Sequence, residues 1–290
     1  MFRNFYLSRV VLSLLFHFFF ISACLAQQQK DATEVLKKVL LATKNYNSLQ
    51  YKLEITERIN GTLSKQTATT KLTKSPFRIY IHQEYPKKGL EVLYVQGWNG
   101  DKAYINPNGF PWFNVSFEPN SSTLRANTHH TVLESGFTYF NGILNHLYIK
   151  YKHKVNEMIS IEGEETVNNK KCIVLLLKNE TNFKVVKYRS ETDETIEEYA
   201  KKNYVSDHMI KELNTSISDY LENIKGKEIN VPNDYASKMM VYVDSETYLP
   251  ILTKVYDLKG LYEQYNYLFI KVNPEFSKEE FSPNYSEYGF

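Results

Sequence analysis

The stretch YKLEITERING at residues 51–61 decides the fold class. Apolar side chains at positions 51, 53 and 55 alternate with polar side chains at 52, 54 and 56, which is the period of a strand with one buried face. Asn60-Gly61 then predicts a tight turn, and the return strand is expected from about Leu63 to Lys74, just before Pro76. The stretch therefore predicts an antiparallel hairpin.

Strand-like runs continue along the chain, separated mostly by short polar or Gly/Asn turns, and predict an antiparallel meander rather than a parallel sheet. The runs cover 77–82, 90–96, 102–106, 149–155, 159–167, 172–178, 183–188, 239–243, 251–257 and 261–272. One helix is predicted to open at Asp31 with a capping box to Glu34, and a second has its apolar face from Leu133 to Leu147. The predicted fold class is α+β, a large curved antiparallel sheet with helices against one face.

Residues 1–26 have the three-part layout of a secretory signal peptide. Arg3 and Arg9 give a positive start, an apolar run follows, and Ala26 precedes three glutamines. The apolar run is short for a bilayer span, so we expect cleavage after Ala26 and no transmembrane segment after signal removal. The alternative is a lipobox at residues 21–24, which would place a lipid on Cys24. We expect export to the periplasm or cell envelope of a bacterium, with lipid anchoring through Cys24 as the alternative.

The charge and cysteine content exclude several classes of protein. Lys and Arg total 35 against 33 Asp and Glu, and residues 1–26 contain two of the arginines and no acid. The remaining chain is neutral, so nucleic acid is not an expected partner. The two cysteines, Cys24 and Cys172, are too few for a disulfide-stapled scaffold. Cys172 lies in an apolar run and is predicted to be a buried, unreactive thiol.

No catalytic or cofactor-binding motif occurs in the sequence. It has no His-Glu-x-x-His, Cys-x-x-Cys or calcium loop, no Gly-x-Ser-x-Gly elbow, and no glycine-rich dinucleotide or phosphate loop. His129 and His130 are adjacent, so on a helix their side chains would point in different directions and would not readily share one metal ion. We therefore predict no catalytic residue, no metal site, no cofactor, and a protein that is not an enzyme.

Residues 107–123 do not follow the strand pattern. Prolines at 107, 111 and 119 are interspersed with Phe110, Trp112, Phe113 and Phe117. A proline-punctuated aromatic loop indicates either a lid over a cavity or a plug in the core. The plug is the expected interpretation, because aromatic side chains are more often core than ligand contacts.

Residues 186–233 interrupt the strands with two short predicted helices, Glu197 to Lys202 and Asp207 to Leu213. Four blocks in this segment resemble, in order and spacing, the pattern of a LysM domain, whose family binds the N-acetylglucosamine backbone of peptidoglycan or chitin. The blocks are Thr195 to Ala200, Val205-Ser206, Ile210 to Asn214 and Gly226 to Pro232. The family's Gly-Asp before the first helix is Asp193-Glu194 in this chain.

The resemblance implies a small βααβ insertion with a glycan-binding groove. The residues that it places in the groove are Ser190, Thr192, Thr195, Asn214 and Thr215. A purely structural insertion that binds no glycan is the alternative.

Outside the insertion, the segments Pro76 to Tyr80, Gly89 to Tyr94 and Tyr256 to Glu263 resemble an uncharacterised family of exported bacterial proteins. Members of that family are similar to periplasmic lipoprotein carriers of the LolA/LolB type. The resemblance implies an open, LolA-like half-barrel, closed by helices, with an apolar cavity for acyl chains. Together with the signal pattern and the LysM resemblance, it predicts a signal peptide at 1–26, a LolA-like half-barrel domain at 31–185 and 234–290, and a LysM-like insertion at 186–233.

These patterns predict a non-enzymatic envelope protein that binds or carries a lipid or an acyl-bearing ligand. The expected partners are lipid or lipoprotein acyl chains; the alternative function is binding of peptidoglycan through the insertion. Candidate cavity-wall residues are Tyr51, Leu53, Ile55, Phe77, Ile79, Val92 and Tyr94. Their packing directly against the helices, with no cavity left, is the alternative.

Overall fold

The computed structural model describes residues 32–290 and contains a large antiparallel sheet. The strands are β1 (Ser48–Ile59), β2 (Thr62–Lys74), β3 (Phe77–Tyr85), β4 (Glu91–Val95), β5 (Ala103–Asn106), β6 (Val115–Phe117), β7 (Ile159–Val167), β8 (Lys170–Lys178), β9 (Val185–Arg189), β10 (Glu228–Pro232), β11 (Lys238–Asp244), β12 (Pro250–Asp257) and β13 (Gly260–Val272). Eleven of them form one open sheet in the order β6-β5-β4-β3-β2-β1-β13-β12-β11-β8-β7, and β9 pairs with β10. The predicted α+β class is confirmed.

The hairpin of β1 and β2 forms in the predicted place. Ile59 is opposite Thr62, so Asn60 and Gly61 alone make the turn. Both turn residues have positive φ angles, 49° and 80°, which is the conformation that a two-residue hairpin turn requires. On its other side β1 pairs with β13, so the first and last strands are neighbours in the middle of the sheet.

The helices are α1 (residues 32–44), α2 (Thr138–Lys150), α3 (Val155–Met158), α4 (Ile196–Asn203) and α5 (Asp207–Leu213). The apolar stripe of α1 packs with α2 and with β11 and β12. The cluster includes Ala32, Val35, Leu36, Val39, Ile143, Leu144, Leu147, Met239, Val241 and Val255. Within residues 32–290, no helix combines the length and the apolar character needed to cross a membrane.

Two boundaries near α2 differ from the prediction. The strand expected at 149–155 is wrong, because α2 continues to Lys150 and the chain then turns into α3. The alternation of Ile149, Tyr151 and Val155 imitates a strand, but Tyr151 belongs to the helix end and donates a 2.6 Å hydrogen bond to Asp234. At the other end α2 begins at Thr138, since Gly136 has a φ of 81° that a helix does not allow.

The insertion has the predicted order of strand, two helices and strand. Its strands β9 and β10 pair antiparallel, and its apolar side chains form a cluster of their own around Ile196, Ile210 and Val231. Thr195 and Glu198 form a capping box at the start of α4, and Ser206 caps α5. The local signals of sequence and the tertiary packing therefore agree in this segment.

The end of β11 is fixed by the carboxylate of Asp244. It accepts hydrogen bonds from the backbone N–H groups of Glu246 and Thr247 at 2.9 and 3.2 Å, and from the ammonium group of Lys170. Burial by itself raises the pKa of Asp244, but these donors outweigh it and lower the pKa below its ordinary value.

Cys172 of β8 is paired with Asp244 in the sheet and is completely buried, as predicted. Burial raises the pKa of its thiol.

Candidate functional site

A cavity of about 530 Å³ lies between the sheet and residues 119–137, a segment that we call the roof. Its walls are mainly apolar side chains from both halves of the sheet, from the roof and from α2. They include Tyr51, Leu53, Ile55, Ala68, Ile81, Val92, Ile105, Val132, Phe137, Phe140, Ile143, Met239, Val255 and Tyr267. A volume of this size lies in the range of pockets that enclose small organic ligands. The space between sheet and helices is therefore not filled by side chains.

The roof is held down by a buried ion pair with the insertion. Arg125 donates bidentate hydrogen bonds of 2.6 and 2.7 Å to Asp207, the first residue of α5, and its guanidinium lies 3.6 Å above the ring centre of Tyr220. The same guanidinium bonds the carbonyl oxygen of His129. Ser122 adds a 2.6 Å hydrogen bond to Asp219. The insertion thus positions the roof over the cavity.

The mouth of the cavity lies between the β3–β4 turn and the roof. Pro86 and Lys87 of the turn and Asn127 of the roof line the cavity and are exposed to solvent. Gln66 of β2 reaches across to donate a hydrogen bond to the carbonyl oxygen of Asn127. A ligand would therefore enter past polar groups before it meets the apolar walls.

Four of the seven predicted wall residues lie on the cavity: Tyr51, Leu53 and Ile55 of β1, and Val92 of β4. The other three, Phe77, Ile79 and Tyr94, pack in the same hydrophobic cluster but do not line the cavity. Phe77 and Tyr94 are in contact, with ring centres 5.9 Å apart, and Ile79 is completely buried. A role in ligand binding stays a prediction for the four lining residues.

One end of the cavity is polar and is built around two buried glutamates. Glu57 of β1 and Glu263 of β13 are each about 1% exposed. Tyr265 donates to both carboxylates, at 2.6 Å to Glu57 and 3.3 Å to Glu263. Tyr235 donates a 2.6 Å hydrogen bond to Glu263. Both phenols keep their protons because burial, reinforced by the charge of Glu263, raises their pKa well above its ordinary value.

Two histidines of the roof complete this polar end. His129 Nδ1 lies 2.9 Å from Glu263, and its Nε2 lies 3.1 Å from the carbonyl oxygen of Arg58. His130 Nδ1 lies 2.9 Å from Glu134, and its Nε2 lies 3.4 Å from Glu263. Burial by itself raises the pKa of Glu263. The charge of His130 and the hydrogen bonds from both histidines together lower it by more, so the pKa of Glu263 is far below its usual range. Glu263 is therefore a carboxylate.

The aromatic loop is placed differently from the prediction. Phe110 and Trp112 are each 84% exposed and Phe113 is 69% exposed, so the expected plug in the core is wrong for these three side chains. The loop connects β5 and β6 at the sheet edge, and among residues 32–290 no further strand pairs beyond β6. Only the following part of the segment, with Phe117, packs in the core cluster, and the residues from 119 onward form the roof.

Most of the predicted glycan-groove side chains make hydrogen bonds inside the protein. Ser190 is buried and donates to the carbonyl oxygen of Thr192, and Thr195 caps α4. The amide of Asn214 bonds the carbonyl oxygens of Ile210 and Asn230. Thr192 and Thr215 are exposed. Glycan binding by these residues, and the LysM resemblance itself, stay predictions. Cys24, the alternative lipidation site, lies outside the described residues.

The polar end was missed in the sequence, although β1 carried a signal for it. Glu57 continues the series of cavity-facing positions 51, 53 and 55, so it is a carboxylate at an inward position of an otherwise apolar face. Glu263 and Tyr265 stand at the same spacing in β13, before Tyr267. Their meeting with His130 depends on the pairing of β1 with β13, which no local pattern specifies.

Several solved structures are similar to this chain at low sequence identity. A structure of the Pseudomonas aeruginosa MucA/MucB complex is similar at 14% identity over 87% of this chain and 60% of that chain, with a TM-score of 0.39. Lipoprotein LppX of Mycobacterium tuberculosis is similar at 11% identity over 82% of this chain and 93% of that chain, with a TM-score of 0.38. A LolA superfamily protein of Nitrosomonas europaea is similar at 10% identity over 88% of this chain and 98% of that chain, with a TM-score of 0.34. This chain thus spans about 60% of the length of the MucA/MucB chain that it matches.

The comparison of sequences identifies a family. No curated protein matches the chain. The model of DUF1571, a protein family of unknown function, matches residues 46–211, which is more than half of the chain. The matched segment contains β1 with Glu57, the whole roof, and the first residues of α5 with Asp207. The chain therefore belongs to the DUF1571 family.

Proposed function

We propose that this protein is an exported, non-enzymatic carrier that holds an acyl-bearing ligand in the cavity. The observation that carries the proposal is an apolar space of about 530 Å³ that opens to solvent between the roof and the β3–β4 turn. With about 30 Å³ for each methylene-sized group, a figure close to the volume of a water molecule in the liquid, the cavity has room for about seventeen such groups. That capacity suits one long acyl chain.

The energetics favour an apolar guest. Each methylene group moved from water into the cavity contributes about 0.8 kcal/mol, so ten buried groups contribute about 8 kcal/mol. Loss of translational and rotational freedom opposes binding by several kcal/mol, and the remainder corresponds to a ligand that is held but released. The polar end, with Glu57, Glu263 and His130, would face the head of the ligand.

Mass spectrometry tests the proposal directly. Protein purified from the cell envelope is extracted with organic solvent, and the extract is compared with that of an unrelated exported protein treated in parallel. We expect acyl-bearing molecules at up to one per chain. Absence of any such molecule, together with failure of the delipidated protein to take up monopalmitin, would reject the carrier function. Sequencing of the mature N-terminus in the same preparation tests cleavage after Ala26 against lipidation of Cys24.

The alternative role of the insertion is binding of peptidoglycan, which rests on the LysM resemblance. It predicts that the full chain is retained on insoluble peptidoglycan and that Thr215→Glu, at an exposed position of the predicted groove, reduces retention. Equal retention of the variant and the natural chain, or none of either, would reject this role. The support of the roof by Asp207 would be unaffected by either outcome.

A further inference from the structure

Three potential metal ligands converge at the polar end of the cavity. One ligand atom each of Glu57, His130 and Glu263 lies within 4.8 Å of the other two. The three residues come from β1, from the roof and from β13, and all of them line the cavity. Glu57 and Glu263 are buried and His130 is about one-fifth exposed, so this is not a group of solvated surface acids.

The donor set selects a class of cation. Two carboxylates and one imidazole suit Zn²⁺ and the other divalent first-row transition metals, whereas Ca²⁺ and Mg²⁺ prefer oxygen ligands alone. Ligand bonds of about 2.0–2.2 Å at tetrahedral angles place two ligand atoms about 3.3–3.6 Å apart. Nε2 of His130 and Oε2 of Glu263 are already 3.4 Å apart, and a side-chain movement of up to about 1 Å brings the third ligand atom, now within 4.8 Å, into the same range. The two carboxylates neutralise the charge of the ion.

His130 is oriented as metal-bound histidines are. Its Nδ1 lies 2.9 Å from the carboxylate of Glu134, which fixes a hydrogen on Nδ1 and leaves Nε2 to act as the ligand. Nε2 lies 3.4 Å from Glu263 Oε2. In the metal-free chain Nε2–H donates to this carboxylate, so a metal ion would take the place of that proton between Nε2 and Glu263. The Glu134 side chain is itself anchored by the backbone N–H of Thr131.

We propose that Glu57, His130 and Glu263 bind one divalent transition-metal ion of the Zn²⁺ class at the polar end of the cavity. Three protein ligands leave at least one coordination position open, and that position faces the cavity. Water, or the polar head of a molecule in the cavity, would fill it. The site goes beyond the proposed carrier function, because an acyl chain can be bound by the apolar walls alone.

The test begins with the full mature chain, stripped of metal with a chelator and dialysed. Isothermal titration with Zn²⁺, and elemental analysis after removal of excess ion, should give one ion per chain. Glu57→Gln and His130→Gln should each weaken Zn²⁺ binding more than tenfold, and Glu134→Gln by about tenfold. The matched control is His153→Gln, because His153 is an exposed histidine outside the cluster and its loss should leave the affinity unchanged.

Co²⁺ provides a readout that does not depend on variants of buried residues. The natural chain loaded with Co²⁺ should show visible absorption bands of a low-coordinate site with nitrogen and oxygen ligands, and Zn²⁺ should displace them. No uptake by the natural chain, or binding that is unchanged in folded Glu57→Gln and His130→Gln, would overturn the proposal. Uptake of monopalmitin by the metal-free chain is measured in parallel, so failure of the metal site and failure of the carrier function are distinguishable.

Discussion

Ala68 offers a direct way to shorten the cavity without disturbing the core. It lies in β2 opposite Leu53, is only half-buried, and points into the cavity. In Ala68→Phe the added phenyl ring has open space to enter, and it takes up the room of three or four methylene groups. At about 0.8 kcal/mol for each excluded methylene group, a long acyl chain loses about 3 kcal/mol of binding free energy. That is a loss of affinity of about 100-fold.

The assay is displacement of a fluorescent apolar probe by two monoacylglycerols. Monopalmitin should bind Ala68→Phe about 100-fold more weakly than it binds the natural chain, whereas the shorter monocaprylin should bind both about equally. Thr67→Phe is the matched control, since Thr67 is the neighbouring residue on the opposite face of β2 and does not line the cavity. Equal monopalmitin affinities for Ala68→Phe and the natural chain, with both folded, would refute the assignment of this cavity as the acyl site.

Three further predictions concern stability and are checked by thermal and denaturant unfolding. Arg125→Met should cost about 3–5 kcal/mol, because it leaves the buried carboxylate partner unpaired; an effect below 1 kcal/mol would mean that the roof is not held by this pair. Asp244→Asn should cost about 1–3 kcal/mol at pH 7. The depressed pKa of Asp244 contributes stability that is complete above about pH 5 and is lost as the pH falls through the folded-state value, so the gap to the natural chain should close as the pH is lowered below about 4, the ordinary pKa of Asp; a gap independent of pH would contradict this. The triple substitution of Phe110, Trp112 and Phe113 by serine should change stability by less than about 1 kcal/mol, whereas a larger loss would show these rings to be core residues.

The sequence was sufficient wherever local signals and burial agree. The β1–β2 hairpin follows from alternation and from Asn60-Gly61, and α5 was predicted with its observed bounds, Asp207–Leu213. In both cases the turn or cap residue and the apolar spacing point to the same structure.

The errors arise where one pattern has two structural solutions. An alternation of apolar residues at 149–155 fits a strand, but the same side chains finish α2. The loop that contains Phe110 and Trp112 has the aromatic content of a core segment. Both rings are nevertheless exposed, because the loop lies at the edge of the sheet.

The candidate site was partly predictable. Period-two spacing identified Tyr51, Leu53 and Ile55, all of which line the cavity. The spacing did not show that Val92 lines the cavity and Ile79 does not, because both are buried positions of neighbouring strands. The cavity extends along only part of that face of the sheet. The polar end requires residues more than a hundred positions apart to meet, and that depends on tertiary structure alone.

The central claim, that an acyl chain occupies the space beneath the roof, is tested most directly by crystallography with a monoacylglycerol brominated near the end of its chain. The anomalous signal of bromine should lie inside the cavity, between the side chains of Tyr51 and Val92 on the sheet and Phe140 on α2. Bromine found only on the outer surface, with the cavity closed or filled by side chains in the same crystal, would contradict the account.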